Sequence, residues 1–80
     1  MKIKQKTAIE LFVIQQVRQK RIFLNYSQED VASFIDKTRG FIGQVESPNH
    51  PAKYNLNHLN KIAKEFNCSI QEFFPDKPVF

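Results

Sequence analysis

The stretch Ser27-Gln28-Glu29-Asp30-Val31-Ala32-Ser33-Phe34-Ile35-Asp36-Lys37-Thr38-Arg39-Gly40-Phe41-Ile42-Gly43-Gln44-Val45-Glu46 decides how the chain is read. Ser27 offers a hydroxyl and Asp30 an acid three residues on, a capping-box spacing with Asp for the usual Glu, so a helix starts after Ser27. Val31, Phe34 and Ile35 form its apolar face, and Ala32 is small enough for another helix to come close. Asp36-Lys37-Thr38 breaks the helix, because Asp36 takes the left-handed conformation at less cost than a β-branched residue. Thr38 then caps a second short helix, Arg39 to Glu46, with Ile42 and Val45 facing inward. Gly40 and Gly43 each cost that helix roughly 1 kcal/mol relative to Ala. So short a helix with two glycines is not optimised for its own stability, and something is expected to approach its backbone closely.

Outward from this pair, periodicity predicts more helices. Thr7 to Leu24 carries Ile9, Val13, Val17 and Leu24 on one face, Phe12 and Ile14 on the flanks, and Gln15, Gln16, Gln19 and Lys20 on the wet side. Asn25 suits the left-handed stop. On the other side, Pro48-Asn49-His50-Pro51 reads as a loop. Asn55 caps a helix with Leu56, Leu59, Ile62, Ala63 and Phe66 on one face, and Asn67 ends it. Ser69-Ile70-Gln71-Glu72 is a second capping box, opening a short helix through Phe73 and Phe74 that Pro75 terminates. No strand-like alternation is present. The expected fold is all-α with five helices, one domain over residues 1–80, a basic arm at 1–6 and a tail at 75–80.

Composition removes several classes. At 80 residues the chain supports one core and buries only about 60–65% of the surface its unfolded form exposes. Apolar residues make up 41% and Phe alone numbers 8, enough to fold rather than stay disordered. Cys68 has no partner for a disulfide, and with His50 and His58 it is too sparse and irregular for a tetrahedral metal site, so no metal or cofactor is expected. The longest apolar run, Leu11 to Ile14, is far below the roughly 18 residues a membrane span needs. The basic start has no signal-peptide h-region, and an intracellular, cytoplasmic protein with no membrane partner is expected. Glu29 and Asp30 are explained by capping and the helix dipole. His50 and His58 lack triad partners, and no glycine loop cradles a nucleotide, so neither catalysis nor a small-molecule ligand is expected.

Charge is unevenly spread. Residues 1–26 hold Lys2, Lys4, Lys6, Arg18, Lys20 and Arg21 against Glu10 alone, whereas residues 27–54 carry a net −1 and residues 55–80 balance. The whole excess of +4 therefore sits at the N-terminal end. A basic arm of this kind points to a polyanionic partner, because Lys and Arg near phosphates release condensed counterions.

Two short helices joined by about four residues have helix-turn-helix geometry. Ser27 through Ala32, then Ile35, Thr38, Ile42, Val45 and Glu46, resemble the Cro/C1 repressor-type (XRE-like) helix-turn-helix family. The resemblance extends to Val17-Arg18-Gln19-Lys20-Arg21 before the motif, and to Leu59-Asn60-Lys61-Ile62-Ala63 and Cys68 through Phe73 after it. It implies sequence-specific binding of double-stranded DNA by a transcriptional regulator, with residues 27–46 as the helix-turn-helix and its second helix in the major groove. Arg39, Gly40, Phe41, Gly43 and Gln44 would then meet base edges, Arg39 suiting guanine and Gln44 adenine. Phe41 has a second reading, as a core residue, and Arg39 another as a solvated charge. Gln28, Thr38, Asn49, Lys53 and Tyr54 would contact the DNA backbone, joined by Lys2, Lys4 and Lys6 of the arm. Arg21 and Glu46 occupy positions the family pairs, which implies a structural salt bridge. The sequence departs from the family in Asp36 where Gly is usual, Lys37 and Lys20 where apolar residues are usual, and Pro48 where Gly is common.

With no room for an effector domain, the expected mechanism is operator occupancy. A two-fold operator calls for a homodimer, with Phe73, Phe74, Val79 and Phe80, or the apolar residues of the first helix, as interface candidates. The competing reading is a protein-interaction module on the same fold, antitoxin-like or an adaptor, which the negative helix-turn-helix segment and the two glycines favour.

Overall fold

A computed structural model describes residues 6–80, and these contain helices and no strand. The elements are α1 (Ala8–Phe23), α2 (Gln28–Phe34), α3 (Arg39–Glu46) and α4 (Leu56–Phe66), followed by a 3-10 turn (Ile70–Phe73). Each begins where a side-chain oxygen accepts an otherwise orphaned backbone N–H. Thr7, Ser27, Thr38, Asn55 and Ser69 do this in turn. At Ser27 the box is reciprocal: its Oγ accepts from Asp30 N at 3.0 Å and its own N–H donates to Asp30 Oδ2 at 2.8 Å.

Three helices also end alike. Asn25, Asp36 and Asn67 adopt φ of 62°, 55° and 56°. The residue after each donates its N–H back into the helix, Tyr26 to Arg21 O, Lys37 to Ala32 O and Cys68 to Ala63 O, at 2.9–3.0 Å. Asp36 thus takes the left-handed position that the family fills with Gly.

α2 packs on α3, α1 lies against α3 and the 3-10 turn, and α4 covers α2 and the turn. Val17, Val31, Ile42, Val45, Ile62 and Phe73 are fully enclosed where these elements meet. Each such side chain contributes about 1.5–3 kcal/mol over an exposed one. Tyr26 stacks on Phe66 with ring centroids 5.5 Å apart and meets the edge of Phe34 at 5.1 Å, sealing the far side of the core.

Three sequence expectations need correction. The fifth helix is a 3-10 turn that stops at Phe73, leaving Phe74 extended and exposed. Leu24 caps α1 from outside and is exposed, because the chain turns away there. Leu56 opens α4 one turn beyond the core and is 72% exposed. Lys20, the departure in α1, donates to Glu72 at 2.8 Å and ties α1 to the 3-10 turn. This contact lowers the Glu72 pKa and raises that of Lys20.

Candidate nucleic-acid interface

α3 has an inner face, Ile42 and Val45, pressed into the core, and an outer stripe. Arg39, Gly40, Gly43 and Gln44 form that stripe at helical spacings of three and four. Arg39, Gly40 and Gln44 are exposed and Gly43 is half-buried. Thr38 Oγ1 accepts from Phe41 N at 3.1 Å and starts the helix beside them. Among the described residues the Arg39 side chain has no hydrogen bond or salt bridge, so its five donors face outward.

Neither glycine is required by the fold. Both have negative φ. A Cβ on Gly40 would sit 3.7 Å from Thr38 Oγ1, and one on Gly43 would sit 3.9 Å from Gln28 Oε1, both ordinary contacts. The isolated chain would accept Ala at either place.

The far end of α3 is tied down. Glu46 receives Arg21 in bidentate fashion, Nε to Oε2 and Nη2 to Oε1, both at 2.9 Å. Arg21 Nη1 also donates to Tyr26 O at 3.0 Å, and Arg18 Nε lies 3.7 Å from Glu46 Oε1. The Arg21 and Glu46 side chains are 11% and 6% exposed. This is the α1–α3 bridge the resemblance implied, and it keeps both residues away from any ligand.

Several residues expected at the DNA backbone are occupied elsewhere. The Gln28 amide donates to Glu46 Oε1 at 3.0 Å, since a carboxylate wedged between helices accepts more donors than Arg21 supplies. Lys6, expected in a free arm, is 3% exposed. Its ammonium donates to the backbone carbonyls of Gln44, Ser47 and His50. Desolvation lowers its pKa, partly opposed by Glu10, with Lys53 lowering it further. Lys53 is half-exposed but donates to Glu10 Oε2 at 2.7 Å, a bond that, with the Thr7 N–H, holds the Glu10 carboxyl below the usual range. Tyr54 is a core residue, 8% exposed with its hydroxyl enclosed and without a hydrogen-bond partner among the described residues, and burial beside the Glu46 charge raises its pKa. Lys2 and Lys4 lie outside the described residues. Asn49 is exposed on the loop after α3.

Phe41 resolves between its two readings as a half-buried flank of the core. Its ring meets His58 edge-on at 5.7 Å, and Lys37 Nζ stands 5.3 Å from its centroid. His58, neither a metal ligand nor a triad member by its sequence neighbours, has a local role the sequence reading leaves out: it occupies the third helical position after Asn55, where a capping box reaches back. Its Nδ1 accepts from Asn55 N at 3.2 Å. Burial first, then Lys37, lowers its pKa. Among the dimer candidates, Phe73 is sealed in the core, Val79 is half-buried, and Phe74 and Phe80 are exposed. Ile22, Phe23 and Leu24 form another exposed apolar group at the end of α1.

No family model matches the chain, and no curated protein matches it. Solved structures do. The restriction-modification controller protein C.AhdI from Aeromonas hydrophila is 26% identical with a TM-score of 0.65, over 80% of this chain and 96% of that one. The hypothetical transcription factor NHTF from Neisseria is 18% identical with a TM-score of 0.67, over 92% and 90%. Hydroxypropylphosphonic acid epoxidase from S. wedmorenis gives a TM-score of 0.71 at 17% identity, but the chain spans only 36% of its length and the likeness is one of fold. The capped α2–α3 pair, the Arg21–Glu46 bridge and these neighbours give the chain an all-α helix-turn-helix fold, in keeping with its resemblance to the Cro/C1 repressor type.

Proposed function

We infer that the chain binds double-stranded DNA sequence-specifically as a transcriptional regulator, laying α3 in the major groove and acting by occupancy of an operator. The observation that carries this is the exposed stripe of α3, on which Arg39 and Gln44 flank the two glycines. The glycines weaken an eight-residue helix that has room for Ala at both places, which fits a partner that must come within backbone contact. Beside them Arg39 is free for guanine O6 and N7, and Gln44 for adenine N6 and N7. Thr38 and Asn49 flank the stripe as phosphate contacts, with Lys2 and Lys4 supplying sequence-independent attraction. Both the Aeromonas controller protein and the Neisseria transcription factor carry names of regulators, which supports the reading. A homodimer would place two stripes one helical turn apart, about 34–36 Å, on a two-fold site.

Selection of duplexes from a random pool by the purified protein tests this reading. An enriched inverted repeat is expected. The absence of any enrichment from a folded, helical protein would overturn it. A second reading, a protein-interaction module on the same fold, is favoured by the net −1 over residues 27–54 and by the engagement of Lys53 with Glu10. Retention on heparin and nonspecific duplex that salt abolishes separates the two, since a protein-reading surface would show neither.

A further inference from the structure

We propose that Lys6 is a positioning residue of the reading surface, a latch that sets the end of α3 and the loop after it without touching DNA. A helix leaves its last carbonyls unpaired, at the negative end of its dipole. An ammonium has three donors, and here they meet three carbonyls: Gln44 O at 3.3 Å, Ser47 O and His50 O. No N–H remains for a phosphate, and Lys6 is almost without exposed surface. The three carbonyls belong to functionally loaded segments. Gln44 presents its side chain on the outer stripe, and Asn49 lies between the gripped Ser47 and His50. Among the described residues the loop's own hydrogen bonds run from Ser47 N to Gln44 O at 3.2 Å, from His50 N to Ser47 O at 3.3 Å and from Ala52 N to His50 Nδ1 at 3.0 Å. A cation at its centre fixes where Gln44 and Asn49 stand relative to one another.

The functional half of this proposal rests on the DNA reading, so the test has one arm with DNA and one without. Lys6→Met keeps the aliphatic stem and deletes the ammonium. In the DNA-free protein, amide exchange at Ser47 and His50 should accelerate about tenfold while Val31 in α2 stays unchanged, charged hydrogen bonds having been removed at that end alone. Affinity for the selected duplex should fall about tenfold, with nonspecific affinity and the slope of log affinity against log salt unchanged. Unaltered exchange at Ser47 and His50 would overturn the latch. A slope reduced by about 0.9, with specific and nonspecific affinity falling together, would overturn positioning in favour of a phosphate contact. A wild-type protein that discriminates among no duplexes would overturn the DNA reading, and the exchange rates separate that failure from failure of the latch.

Discussion

The two ends of α3 are built on opposite principles. At its C-terminal end Glu46 gathers Arg21, Gln28 and Arg18, and Lys6 holds the carbonyls of Gln44, Ser47 and His50. At its N-terminal end and along its outer stripe, Arg39 stands exposed and unpaired among the described residues, and Gly40 and Gly43 carry no side chain over the backbone. Polar groups at the first end are spent on one another, so their worth is stability and a fixed helix axis. Among the described residues the Arg39 and Gln44 side chains at the second end have no hydrogen bond or salt bridge, so their worth is realised only against something outside. Charge identity alone does not separate the two: Lys6 and Arg39 are both basic, and only one faces solvent.

Glu46→Ala attacks the tied end. It strands Arg21 as a buried, unpaired charge and should cost about 3–5 kcal/mol, seen as a lower urea midpoint. A loss under about 0.5 kcal/mol, typical of ordinary surface sites, would mean that the bridge is not what fixes α3 to α1.

Arg39→Ala attacks the free stripe and should do the reverse. Stability should stay within about 0.5 kcal/mol, while discrimination at one guanine of the selected site drops by about 1–3 kcal/mol in competition binding. Equal losses for all sequences would reassign Arg39 to a phosphate.

Gly43→Ala sharpens the contrast further, because the two properties should move in opposite directions. Helix propensity should raise stability by about 0.5–1 kcal/mol, and the added methyl should weaken binding to the selected duplex. A variant that is more stable and binds equally well would show that nothing approaches α3 at that point.

The smallest expected effect concerns His58, beneath Phe41. Its folded pKa lies below the ordinary 6.5, from burial and then Lys37. The unfolded chain therefore takes up the proton first, so stability is complete above the unfolded value and declines as pH falls through it toward the folded pKa. His58→Gln keeps a capping-box acceptor and removes the titration. The fall in urea midpoint from about pH 7.5 to about pH 5.5 should be shallower in that variant than in wild type. Identical profiles would mean that His58 is not responsible.

Local chemistry was readable without the fold. Ser27, Thr38, Asn55 and Ser69 cap where their side-chain types and spacing said they would, and Asn25, Asp36 and Asn67 take the left-handed stops. These devices act within a few residues of chain, so sequence proximity is enough. The same holds for the outer stripe of α3, which follows from helical period once the helix is placed. The phosphate contacts were less legible. Lys6 of the arm and Gln28, Lys53 and Tyr54 in or after the motif are all polar-tipped, and each is engaged or enclosed by residues distant in sequence.

What the sequence by itself determined is therefore the four α-helices, the caps that start them and the helix-turn-helix register, because capping and periodicity are local and repeat over short spans. Tertiary structure alone decided which cations are free. Lys6 meets Gln44, Ser47 and His50 across some forty residues of chain, and Lys53 meets Glu10 across a similar span. A basic side chain has the same propensity and hydropathy whether it faces phosphate, carboxylate or a ring of carbonyls. Only the packing of α1 against α3 and its following loop distinguishes the residues that hold α3 in place from those left facing solvent.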